Sequence, residues 1–66
     1  MIPLGLSRPL AAEYIGVGTT KFDEMVEDGR MTVPKISDRR KLWDRREIEI
    51  AFAELPTVAH NDWDEN

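Results

Sequence analysis

A mostly α chain with one small β-hairpin, in the order α-α-β-β-α, is predicted for these 66 residues by three observations. The stretch from Ser7 to Gly29 reads as helix, tight turn, helix, with Gly16 and Gly18 bracketing Val17. After Gly29 the apolar residues stop recurring at helical spacing, and two short apolar runs flank the polar segment Ser37-Asp38-Arg39-Arg40. Asp44 and Glu47 then stand three apart ahead of a new helical stripe, the pattern of a capping box.

Taken in order, Leu4 and Leu6 alternate around Gly5 as a short extended lead-in whose leucines cover an edge of the core. The first helix is expected over about 8–15, capped by Ser7, with Pro9 in its first turn and Ala11, Ala12 and Ile15 facing inward beside Tyr14. Ala12 is small enough for two backbones to approach closely, and Gly16 permits the left-handed conformation that a tight turn needs. The second helix is expected over about 19–28, burying Phe22, Met25 and Val26 until Gly29 ends it. Thr20, Lys21, Glu24 and Glu27 lie opposite that stripe, with Thr19 at the N-terminal end and Asp23 on the flank. This is the spacing of a DNA-binding helix-turn-helix; the plainer alternative is an αα-hairpin of a small helical domain.

Met31, Val33 and Ile36 on one side and Lys41, Leu42 and Trp43 on the other predict a hairpin. Pro34 falls near the start of its first strand, and Ile36, Leu42 and Trp43 turn inward. Arg39, Arg40 and Lys41 crowd its tip, where like charges contribute nothing to folding, so the hairpin is expected to serve as a cationic wing. The third helix places Ile48, Ala51, Phe52 and Leu55 at i, i+3, i+4 and i+7, and Pro56 marks its end. The whole is therefore expected to be a winged helix-turn-helix over residues 1–56. A disordered acidic tail is expected over 57–66, where Trp63 either folds back, anchors a partner or does neither.

Size and composition exclude several classes. A chain this short forms one domain with no room for an enzyme cleft, so neither catalysis nor a small-molecule substrate is expected. It has no cysteine, and the lone His60 cannot build a metal site, so no cofactor is expected. No apolar run approaches the roughly 20 residues that span a bilayer, and the N-terminus lacks the basic start of a signal peptide; the expected location is the cytoplasm.

The net charge of −4 taken alone argues against a nucleic-acid partner. Its distribution argues the other way: residues 30–46 hold Arg30, Lys35, Arg39, Arg40, Lys41, Arg45 and Arg46 against Asp38 and Asp44, a local balance of +5. Local field outweighs net charge at an interface, because charges more than about 10 Å apart are screened at ordinary salt.

The segments Ser7-Arg8-Pro9-Leu10-Ala11-Ala12, Gly16-Val17, Glu27-Asp28-Gly29 and Trp43-Asp44-Arg45, in that order, resemble the phage excisionase and AlpA-like branch of the MerR-type winged-helix superfamily. The resemblance implies a second helix in the major groove and a wing on the adjacent minor groove or backbone. It also implies either direction of a tyrosine integrase toward excision, with copies side by side on duplex DNA, or transcriptional control. Carried over, it puts Thr19, Thr20 and Lys21 at the start of the groove helix, with Asp23 or Glu24 near base edges, and Arg39, Arg40 and Lys41 on the wing. Glu24 joins the groove set, and the basic balance of residues 30–46, not the resemblance, adds Lys35, Arg45 and Arg46 as phosphate contacts. Relatives often carry Arg, Ser and Tyr where this chain has Thr19, Thr20 and Asp23, leaving Lys21 as the sole cation of the recognition helix. For the tip cations the plainer reading is a solvated turn, and for the carboxylates of the second helix a solvated face. Glu24 or Asp23 could instead accept from a cytosine amino group, or the acidic helix and tail could engage a basic protein. About four neutralised phosphates would give a salt slope of roughly −3.6 in log affinity. Duplex recognition further requires Lys21 and Arg40 to lie on a common side of the domain.

Overall fold

Local chemistry accounts for most element boundaries. The computed structural model describes residues 2–58, in the order β1 (Gly5–Leu6), α1 (Arg8–Ile15), α2 (Thr19–Glu27), β2 (Lys35–Ser37), β3 (Arg40–Asp44) and α3 (Arg45–Ala53). α1 ends where Gly16 takes φ 84°, letting the Gly16 amide donate to the Glu13 carbonyl at 3.0 Å and the Val17 amide to that of Ala12 at 3.0 Å. Gly29, at φ 91°, ends α2 in the same way, and the Met31 amide then returns to the Met25 carbonyl at 2.9 Å. Ser7 occupies the N-cap position of α1, but its side chain makes no capping hydrogen bond. Pro9 in the first turn needs none for its missing amide.

The extended lead-in becomes a strand. β1 pairs antiparallel with β3, Gly5 opposite Asp44 and Leu6 opposite Trp43, giving a three-stranded antiparallel sheet in the order β1-β3-β2 rather than a lone hairpin. Only Leu6 enters the core. Leu4 precedes the paired residues and stays half exposed, while its carbonyl accepts from the Arg45 amide at 2.8 Å. In the hairpin, Lys35, Ile36 and Ser37 face Leu42, Lys41 and Arg40 across a two-residue turn in which Asp38 takes φ 57°. Asp is among the few L-residues that tolerate that region. β2 starts one residue after Pro34, which has no amide to offer the ladder.

Leu6, Ala11, Ala12, Phe22, Met25, Met31, Trp43 and Ile48 form one buried cluster. At its centre the rings of Phe22 and Trp43 meet edge to face at 5.2 Å, and the Trp43 Nε1–H donates to the Thr32 carbonyl at 3.0 Å. Two side chains expected inside are outside. Phe52 is half exposed because α3 packs through Ile48 and Ala51, leaving Phe52 on the rim beside Tyr14 and Ile15; the helix ends at Ala53, so Leu55, expected in its stripe, packs against the core from beyond its end. Ile36 is exposed because the core stops at Trp43, before the hairpin tip. Val33, also expected in a strand, is exposed in the loop ahead of Pro34, whereas Met31 is buried.

Half of the expected capping box forms at α3. Asp44 accepts from the Arg46 amide at 2.9 Å, but Glu47 turns away and instead accepts from Thr32 Oγ1 at 3.3 Å and Lys35 Nζ at 3.0 Å. The Arg46 guanidinium, bonded to both Asp44 oxygens, holds that carboxyl down to about 2. Because the folded pKa lies below the ordinary 3.8, the stabilisation is complete above that value and is lost as pH falls toward 2. Asp44→Ala is expected to lower the melting temperature by roughly 4–8 °C. Asp44→Asn, which still caps, is expected to flatten the acid limb below about pH 4. Circular-dichroism melts at a series of pH values check both, and an acid limb unchanged in Asp44→Asn would refute the assignment.

Among the described residues no helix is long and apolar enough to cross a membrane. Trp63 and the carboxylates Asp62, Asp64 and Glu65 lie outside the described residues.

Candidate nucleic-acid interface

The cations divide by what they touch. Six of the nine basic side chains are held internally. Arg8 forms a two-point pair with Asp23 at 2.8 and 2.6 Å, Lys21 meets Glu24 at 3.1 Å and Arg30 meets Asp28 at 2.8 Å. Lys35 meets Glu47 at 3.0 Å, Arg46 pairs with Asp44, and Arg45, half buried, donates to the Ile2 carbonyl at 2.8 Å. Among the described residues Arg39, Arg40 and Lys41 make no ion pair, and all three are exposed. The +5 segment therefore resolves into a neutralised base and a bare cationic tip.

The tip is not uniform. Successive strand residues point to opposite faces, so Lys41 shares a face with Trp43, while Arg40 shares the other with Leu42 and, across the ladder, Ser37 and Lys35. On the first of these faces Lys41, Trp43 and Pro34 line one wall of a shallow groove of about 460 Å³, and Asp23, Val26 and Glu27 of α2 line the other, with Arg8 between. The Arg8 guanidinium holds the Asp23 carboxyl below its usual range, chiefly through the hydrogen bonds between them.

This placement corrects the expected common side of Lys21 and Arg40. Lys21 and Asp23 are two residues apart, hence on nearly opposite sides of α2, and it is Asp23 that faces the hairpin. Lys21 therefore stands on the far edge of the helix, and Arg40 on the sheet face away from the groove. What α2 presents near the hairpin is Asp23 and Glu27, with Thr19 at the first helical position and Thr20 and Glu24 exposed. The first turn of α2 contains no carboxylate and no side-chain cap, leaving its amides unclaimed by protein side chains.

The Arg8–Asp23 pair escaped sequence reasoning, which assigned Asp23 to a solvent-facing flank; fifteen residues of separation leave no local signal for it. Ile36 was misplaced because strand propensity does not say where a core ends.

These features define a small α/β domain of three helices and a three-stranded antiparallel sheet. Comparison with protein-family models, curated proteins and solved structures finds no match to this chain.

Proposed function

We propose that this domain is a winged helix-turn-helix that binds duplex DNA, with β2 and β3 as the wing and α2 as the groove helix; Lys21 and Arg40 do not share the side on which duplex recognition was expected to depend, so the reading stands on the hairpin tip and the first turn of α2 and not on Lys21. The single observation that carries the reading is the concentration of all three unpaired cations at the hairpin tip while every other Lys and Arg is satisfied internally. An isolated cluster of like charges is unfavourable for folding, and the polyanionic backbone is the partner that compensates it. The uncapped, carboxylate-free N-terminus of α2 supports the same reading, since such amides suit phosphate oxygens. Thr19 and Thr20 then approach the major groove. Lys21, Lys35 and Arg46, committed to Glu24, Glu47 and Asp44, contribute less.

Within that class the proposed role is an excisionase-type directionality factor, which has no catalysis of its own and positions DNA for a tyrosine integrase. An AlpA-like regulator would use the same contacts beside a promoter. With three free cations in place of the four anticipated from sequence, the salt slope of log affinity is expected near −2.7. Fluorescence anisotropy of a labelled duplex across a salt series measures it; no binding, or a flat response, would refute DNA recognition. If the chain then captures a basic protein through the carboxylates of α2, the interaction-module reading replaces it.

A further inference from the structure

Ile36 is the most exposed large apolar side chain among the described residues, at 72%. Its surroundings separate it from an ordinary surface hydrophobe. The ladder sets it directly opposite Lys41, and its neighbour Ser37 opposite Arg40, so it stands inside the only cluster of unpaired cations among the described residues. It belongs to the sheet face of Lys41 and Trp43, the face that forms the groove with α2, but lies beyond the point where Trp43 meets Phe22. No buried neighbour takes its side chain, and a strand former with a polar tip would serve the ladder equally well.

Resting on the DNA reading above, we propose that Ile36 is an apolar wedge that enters the minor groove and parts one base step, with Arg39, Arg40 and Lys41 on the flanking phosphates. A wedge needs an apolar tip with no polar atom to desolvate, a stiff mount, and cations that neutralise the phosphates it passes between. Ile36 is β-branched and so restricted at χ1. Its strand is tied to β3 through three residue pairs and closed by a two-residue turn. The cations lie on both sheet faces, Lys41 on one and Arg40 on the other, as contact with two groove walls requires. The minor groove, about 6 Å wide, excludes a helix and leaves room only for such a tip.

The test uses the full chain and duplexes carrying 2-aminopurine within a pyrimidine–purine step, the kind most easily unstacked. Wild type is expected to raise the fluorescence of the analogue at least roughly twofold at saturation. Ile36→Thr keeps β-branching and removes the apolar tip; at saturating protein it is expected to lose the fluorescence rise while keeping the wild-type salt slope, which the phosphate contacts set. Ile36→Val, which shortens the tip without making it polar, is expected to give an intermediate rise, and it carries the test if circular dichroism shows Ile36→Thr unfolded. A wild-type complex with no fluorescence rise, or an undiminished rise in Ile36→Thr, overturns the wedge and leaves DNA binding standing. Absence of any wild-type complex overturns both.

Discussion

Simultaneous replacement of Arg39, Arg40 and Lys41 by alanine is expected to weaken duplex binding roughly 500-fold at 0.1 M salt, the effect of losing three phosphate contacts. The same variant is expected to lose about 2.7 from the salt slope, since each contact contributes about 0.9. Folding is not the route of this effect. All three side chains are exposed and unpaired among the described residues, so the substitutions fall in the class that changes stability by less than about 0.5 kcal/mol, and they relieve like-charge repulsion. Arg30→Ala is the control: it also removes one positive charge from the 30–46 segment, but that charge is paired with Asp28 outside the hairpin, so affinity is expected to change by less than about threefold. Anisotropy titrations of both variants decide the matter. A triple variant that binds within tenfold of wild type would remove the hairpin tip from the interface.

The second large effect is on the core. Phe22→Ala is expected to cost about 3–5 kcal/mol, because the ring is fully buried and its removal leaves a cavity against Trp43. A domain of this size has a total stability near the lower end of the usual 5–15 kcal/mol, so the variant is expected to be largely unfolded at 25 °C. Phe22→Leu, which keeps most of the volume, is expected to retain a cooperative transition at lower urea concentration. Urea titration followed by far-ultraviolet circular dichroism measures both. A Phe22→Ala protein melting within a few degrees of wild type would show that the Phe22–Trp43 contact is not the centre of the fold. The ring also couples core to interface, since Phe22 lies on the helix proposed for the groove and Trp43 on the strand that carries Lys41.

Features encoded within a few residues were legible from the chain alone. Gly16 and Gly29 end helices because their missing Cβ permits positive φ, and Asp44 starts one because its carboxylate reaches an amide two residues on. The expected helix over 8–15 coincides with α1, and that over 19–28 exceeds α2 only by the capping Asp28. Pairing over longer distances was not legible. Leu4 and Leu6 read as a lead-in because the partner of β1 lies nearly forty residues on, at Trp43 and Asp44. Phe52 and Ile36 read as core because periodicity gives the direction of a side chain and not the extent of what covers it.

The site divides in the same way. Sequence alone determined the three helices, the hairpin and the basic character of residues 30–46, since each follows from backbone preference or from the count of charges in a short window. Only the tertiary structure decided the fate of two of those charges: Lys35 is spent on Glu47 twelve residues away and Arg45 on the backbone of the N-terminal segment, whereas Arg30 and Arg46 pair locally, each with a carboxylate two residues before it. The reason is the range of the forces. Dihedral preferences and capping hydrogen bonds act over one helical turn, whereas the neutralisation of a cation depends on which carboxylate the packed core brings within about 3 Å of it, wherever that carboxylate falls in the chain.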